Sequence, residues 1–198
     1  KKIEIKSGRT ISAIKNMPEV HFFDQTHALE HSLEIHIPFL QKILNDFKLV
    51  PIVVGNSSPK AIVDVLLQVW GGPETVVIVS SDLSHYKSYH DAKKIDMMTS
   101  KAIETLDQSL ITRDNACGIY PLNGLLKLAK QIQMSVKTLD LRNSGDTAGS
   151  KNKVVGYGSW VFLERKTLQE NVHNQKKEIN IINSIPKDGF RFEANTKE

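Results

Sequence analysis

At 198 residues with 40% hydrophobic content, the chain is long enough for one substantial core and too apolar for intrinsic disorder. Its formal charge of +4 is spread among interleaved acids and bases with no reading module for nucleic acid, which sets nucleic-acid binding aside. No apolar run reaches the roughly 20 residues that cross a bilayer, KKIEIKSGR lacks the centre of a secretory signal, and the single Cys117 permits no internal disulfide, so a soluble cytoplasmic protein is expected.

Residues 17–24 read as a connection interrupted by Pro18. HALEHSLEIHIPFLQKIL (27–44) then has helical character, with Pro38 bending it or starting its second part. LVPIVVG (49–55) reads as a buried strand, and SPKAIVDVLLQVW (58–70) as a helix with Ser58 at its cap and Pro59 in its first turn. TVVIVS (75–80) is a second strand and YHDAKKIDMMTSKAIETL (89–106) a long helix. ACGIYPLNGLLKLAKQI (116–132) offers Leu125, Leu126, Leu128 and Ala129 as an apolar helical surface. SVKTLDLRNSGDTAG (135–149) gives a strand and a turn, and KVVGYGSWVFLE (153–164) a last strand. This order predicts an α/β fold: a central, mostly parallel or mixed sheet flanked by helices. Residues 1–163 form the domain. Residues 164–198 read as a polar extension, with INIINSI a candidate edge strand.

Three polar clusters punctuate this pattern. Asp82 and His85 follow a strand, where side chains of an α/β sheet meet ligands; Asp82 suits orientation of an imidazole, and His85 proton transfer or metal ligation. The alternative is a capped turn with a hydrogen-bonded histidine. Cys117 precedes a helix, where backbone donors favour a thiolate, yet a buried inert cysteine fits the position equally well. On a helix, His27, Glu30, His31 and Glu34 would share one face, either lining a cavity or forming an internal salt-bridged stripe. Ser144, Gly145 and Asp146 read first as a turn and secondly as a wall of the same cleft. His21, His36, His90 and His173 are assigned to loop contacts, packing or solvent.

Taken together, EHSLEIHIPFLQ, VVIVSSDLSHY, ACGIYPLNGLL, NSGD and VVGYGSWVF resemble the MEMO family, associated in bacteria and archaea with the AmmeMemoRadiSam system. The resemblance spans most of residues 26–162 and implies a fold similar to class III extradiol dioxygenases. It also implies metal-dependent redox chemistry, while eukaryotic relatives are linked to signalling, motility and phosphotyrosine-containing partners. It places His85 on the family's cleft histidine, Cys117 on its cysteine metal-ligand position, and Glu30, His31 and Glu34 near its polar wall. The family's earlier PHAGY-like and histidine-containing segments, which complete its metal site, are absent from this sequence, so the first strands of the fold are expected to be lacking.

The resemblance implies iron or copper held by Cys117 and His85, with Glu30 or His31 orienting a small organic substrate or relaying protons, while Asp82, from its place after the strand, is expected to orient an imidazole or accept a proton. Catechol ring cleavage does not follow, because shared architecture does not preserve a mechanism. The competing expectation is a non-catalytic protein that binds a peptide or small ligand, or a structural subunit. A second copy or a complementary N-terminal chain is the expected protein partner. The metal-dependent reading requires the groups at 85 and 117 to reach one ligand.

Overall fold

The computed structural model describes residues 4–5, 9–28, 30–147 and 149–164. Its first part is made of short pieces: β1 (Glu4–Ile5), α1 (Arg9–Ile14), α2 (Asp24–His27), α3 (Ile37–Ile43) and β2 (Lys48–Leu49), with β1 and β2 paired in parallel. Longer elements follow where the sequence supplies caps. Ser58 Oγ accepts the Ala61 N–H at 3.2 Å to open α4 (Pro59–Val69), and Pro59 takes the first turn, where its missing N–H costs nothing. After β3 (His85–Lys87), Ser88 Oγ accepts the Asp91 N–H at 3.3 Å to open α5 (Tyr89–Glu104). Then come α6 (Ile119–Gln131), β4 (Ser135–Asn143) and β5 (Val154–Leu163).

The packing explains why α6 is apolar around most of its circumference. Leu122 and Leu126 enter a cluster with Ala102, Ile103, Ile111 and Ala116, closed over by Trp160 and Phe162 from the sheet. Leu128 enters a second cluster with Ile62, Val63 and Leu66 of α4. A helix wedged between two clusters must be hydrophobic on more than one stripe. Each fully buried leucine contributes about 1.5–3 kcal/mol to that arrangement.

The fold is mixed α/β, as expected. Its larger sheet has the order β3-β5-β4 with both pairings antiparallel, and β1 with β2 supplies the parallel pairing. The β4–β5 connection is a short 3-10 turn over Ser144–Asp146, in which Asn143 Oδ1 accepts the Gly145 N–H and Asp146 accepts the Asn143 N–H. Tyr89 donates to Asp146 at 2.5 Å, which with the Asn143 N–H holds that carboxyl below its ordinary range. These groups serve the turn reading of NSGD.

Two sequence expectations are corrected. The segment from His27 is not one helix: it breaks into α2, a run of turns and α3. Glu30 Oε1 accepts the Ser32 N–H at 2.8 Å, a local bond that competes with helical pairing, and Pro38 sits in the first turn of α3. The face proposed for His27, Glu30, His31 and Glu34 therefore does not form as a helical stripe. Leu29, the 165–198 extension with its candidate strand, and His173 lie outside the described residues.

The second correction concerns the two apolar runs. Of LVPIVVG only Leu49 lies in a strand, and 75–80 pairs with no strand among the described residues. Among the described residues, 76–79 have no backbone hydrogen-bond partner. Val77 packs on the α4 cluster while Val76 is 80% exposed and Ile78 48% exposed. Apolar residues on both faces mark a strand suited to burial inside a sheet, here with one face covered and its ladder unmade. Hydrogen exchange of the isolated chain should find the amides of 76–79 nearly unprotected and those of Ile103 and Leu126 slowed by orders of magnitude. Comparable protection in both sets would contradict this arrangement.

Candidate metal centre

The loop 81–84 lies between the unpaired apolar run and β3, and three features of the local chain aim its side chains. Leu83 donates its N–H to Gly156 O at 2.9 Å and Gly156 donates back to Ser84 O at 2.8 Å, which fastens the loop to β5. Next, β3 pairs with β5 through an irregular register between His85 and Lys87. Tyr86, at that irregularity, has φ of 57°, a left-handed conformation that costs a non-glycine residue energy and turns the strand locally. His85 stands immediately before this turn, with its ring 5.7 Å from that of Tyr86.

The second wall is the entry to α6. Cys117 N–H donates to Asp82 O at 3.2 Å, and Asp82 N–H donates to Cys117 Sγ at 3.1 Å. Ser81 Oγ accepts the Gly118 N–H at 2.9 Å and lies 3.8 Å from the same sulfur. The approach is close enough to require glycine at 118: a Cβ there would lie 2.7 Å from Ser80 O and 2.8 Å from Ser81 Cβ. A residue 35 positions away in sequence is thus locked to the DLSH segment by backbone contacts on both sides.

This geometry brings together Asp82, His85 and Cys117, whose ligand atoms all lie within 4.8 Å of one another. His85 Nε2 is 3.5 Å from Asp82 Oδ2, with the two side chains 40% and 41% exposed. The cysteine is also exposed, so the thiol of the sequence reading is accessible rather than buried. Donors around one small ion stand about 3–4 Å apart, so little contraction would let all three reach it. A carboxylate, an imidazole and a thiolate make up a set suited to transition metals, whereas an all-oxygen set suits magnesium or calcium.

Among the described residues this is the group of metal-capable side chains that converges. Glu30 and His31 are not in it: Glu30 is held below its ordinary acidity range mainly by the Ser32 N–H, and exposed His31 pairs with Glu34 at 3.4 Å. His36 is partly buried, with Nε2 lacking a partner, and its desolvation lowers its affinity for a proton. His90 is exposed beside Tyr89.

Sequence reasoning passed over two contributors. Ser81, whose Oγ accepts the Gly118 N–H, carries the bridge to α6. Tyr157 of β5 has its hydroxyl pushed towards the protonated form by burial first and by the charge of Asp82 second. Its place in the alternating GYGSW stretch was the available signal.

Comparisons with known proteins decide the kinship. The sequence profile described as "Memo-like protein" matches residues 4–161. The chain belongs to the Memo-like family. Among its relatives are proteins described as "MEMO1 family protein" from three archaea. That of Methanobrevibacter smithii is 34% identical over 148 residues, covering 69% of this chain and 52% of the relative. That of Aeropyrum pernix is 34% identical, covering 68% and 52%, and that of Methanosarcina mazei 37% identical, covering 67% and 55%. The chain thus spans about half the length of these curated relatives.

Membership in the Memo-like family matches the resemblance carried by the DLSH and ACG segments, and the geometry adds Asp82 as a third donor. No described helix is long and apolar enough to cross a membrane. The close approach at α6 is directly testable. Gly118→Ala should destabilise the chain by about 1–3 kcal/mol in denaturant titration, the cost of forcing a methyl into occupied space. An unchanged midpoint would remove the basis for the Ser81–Gly118 lock.

Proposed function

We propose that this Memo-like chain carries part of a metal-dependent redox centre acting on a small organic substrate, with Cys117, His85 and Asp82 as the residues that hold the metal. The convergence of three chemically different donors within 4.8 Å carries this reading. Sulfur and nitrogen donors together favour iron or copper over hard cations, and the metal when bound supplies one-electron chemistry that no side chain here provides. The chain's own residues supply the rest. Cys117 must lose its proton to ligate, and the Asp82 N–H pointing at Sγ supports the resulting negative charge.

His85 has two mutually exclusive uses. Its Nε2, 3.5 Å from Asp82 Oδ2, either donates a lone pair to the metal or carries a proton. Metal binding through that nitrogen therefore displaces a proton, and binding weakens as the solution is acidified. Glu30 and His31 orient substrate or relay protons from the loop that follows α2.

A second reading is recognition without turnover, of a peptide or small ligand. Solvent exposure of the donors favours it, because a reaction centre works best with water excluded. Both readings accommodate a protein partner. The exposed Val76 and Ile78, and a 76–79 backbone unpaired among the described residues, support a complementary polypeptide that adds a strand, or a second copy in its place. Such a partner would bring further donors and exclude water.

Metal titration of the chain, with and without complementing polypeptide, separates the readings. Cys117→Ser, His85→Ala and Asp82→Asn should each weaken copper or iron binding at least tenfold while circular dichroism stays native. Metal-stimulated oxidation of a small substrate, lost in the same variants, supports the enzyme. Ligand binding that persists unchanged in metal-free protein and in all three variants overturns it in favour of recognition.

A further inference from the structure

The centre described above is exposed, yet beneath it lies a buried acid with no part in the proposed chemistry. Asp96 sits in the middle of α5, only 2% exposed, on a face otherwise made of Ala92, Thr99, Ser100 and Ile103. Taking a carboxylate out of water is costly unless something specific is gained. Asp96 Oδ1 accepts the N–H of Ser84 at 3.0 Å, and Ser84 itself is fully buried. That N–H belongs to the residue between Leu83, whose N–H is bound to Gly156 O, and His85. An apolar residue at 96 would leave the Ser84 donor buried and unmet.

The opposite strand is shaped to admit this carboxylate. A Cβ on Gly156 would lie 2.0 Å from Asp96 Oδ2 and 2.5 Å from its Cγ, so glycine at 156 leaves the space the acid fills. Gly156 also exchanges both backbone hydrogen bonds with the loop through Leu83 and Ser84. Three elements therefore meet at one point: α5 by its carboxylate, β5 by its glycine, and the loop by its backbone. Burial favours the protonated carboxyl, while the Ser84 N–H, the nearby Ser84 hydroxyl and the charge of His85 pull the other way. That hydroxyl is buried and reaches no partner at hydrogen-bonding geometry, which leaves the Ser84 N–H as the defined contact.

We infer that Asp96 is a positioning residue: its carboxyl oxygen fixes the Ser84 backbone against Gly156, and this sets where Asp82 and His85 stand relative to Cys117. The inference rests on the metal-holding reading of those three residues. Asp96 touches neither metal nor substrate. It acts through the chain on either side of Ser84, back two positions to Asp82 and on to the adjacent His85, so its oxygen as an acceptor matters and its charge does not.

Cobalt(II) is the probe, because thiolate ligation gives it a charge-transfer absorption that vanishes in Cys117→Ser. Asp96→Asn keeps an oxygen for the Ser84 N–H and should bind cobalt within threefold of the parent chain. Asp96→Ala should bind at least tenfold more weakly, at a temperature well below its melting transition. Gly156→Ala, which leaves Asp96 in place but crowds its oxygen, should show the same loss and serves if Asp96→Ala does not fold. A role limited to stability predicts lower melting temperatures with cobalt affinity unmoved, and that result overturns the inference.

If the parent chain gives no thiolate–cobalt band, the metal reading itself fails, and nuclear magnetic resonance decides about Asp96. Exchange of the Ser84 amide at least tenfold faster, with displaced His85 ring signals, in Asp96→Ala or Gly156→Ala but not in Asp96→Asn upholds positioning. Unchanged amide exchange and ring signals in either disruptive variant overturn it.

Discussion

The centre depends on one reciprocal junction, in which Cys117 donates its N–H to Asp82 O and Asp82 donates its N–H to Cys117 Sγ. This contact ties the entrance of α6 to the loop before β3, and it is made largely by backbone. Side-chain changes elsewhere alter it only by moving one of the two segments. The sulfur is consequently placed by the fold rather than by its own rotamer alone. Ser81 reinforces the junction from one side and the absence of a side chain at Gly118 permits it from the other.

Each partner in that junction is anchored to a different part of the core. On one side, α6 is held by the leucines that it divides between two clusters, so its first turn has little freedom to shift. On the other, the loop is fastened to β5 at Gly156 and then turned by the left-handed Tyr86. The strain at Tyr86 is maintained by the ladder around it and lies next to the histidine that it aims, an association common at functional sites. Rigid support beneath an exposed set of donors is what a ligand site needs if it is to hold its geometry before binding.

The elements legible in the sequence were those whose patterns are satisfied locally. Ser58 and Ser88 announce α4 and α5 because an N-cap bond spans three residues. The leucines of α6 and the alternating residues of β5 identify themselves by period. The HALEH segment misled because Glu30 bonds to Ser32 instead of leaving its backbone free for a helix, a competition that periodicity does not record. The runs at 49–55 and 75–80 have the composition of buried strands, but a strand exists only with a ladder partner, and composition is silent on that. Of the site, DLSH and ACG pointed to His85 and Cys117 separately. Their meeting, and the entry of Asp82 as a donor beside them, belongs to the tertiary fold. Asp96 was hidden in IDMM, where an acid on a helix ordinarily faces water; its neighbours Ala92, Thr99 and Ser100 on the same face were the sign that it does not.

The proposed function requires Asp82, His85 and Cys117 to share one coordination sphere at the mouth of α6. X-ray absorption at the metal edge of the copper-loaded chain observes that sphere directly. One sulfur scatterer together with nitrogen and oxygen neighbours, with the sulfur lost in Cys117→Ser, is the predicted result. A shell of nitrogen and oxygen alone in the parent chain would place the metal elsewhere and contradict the account.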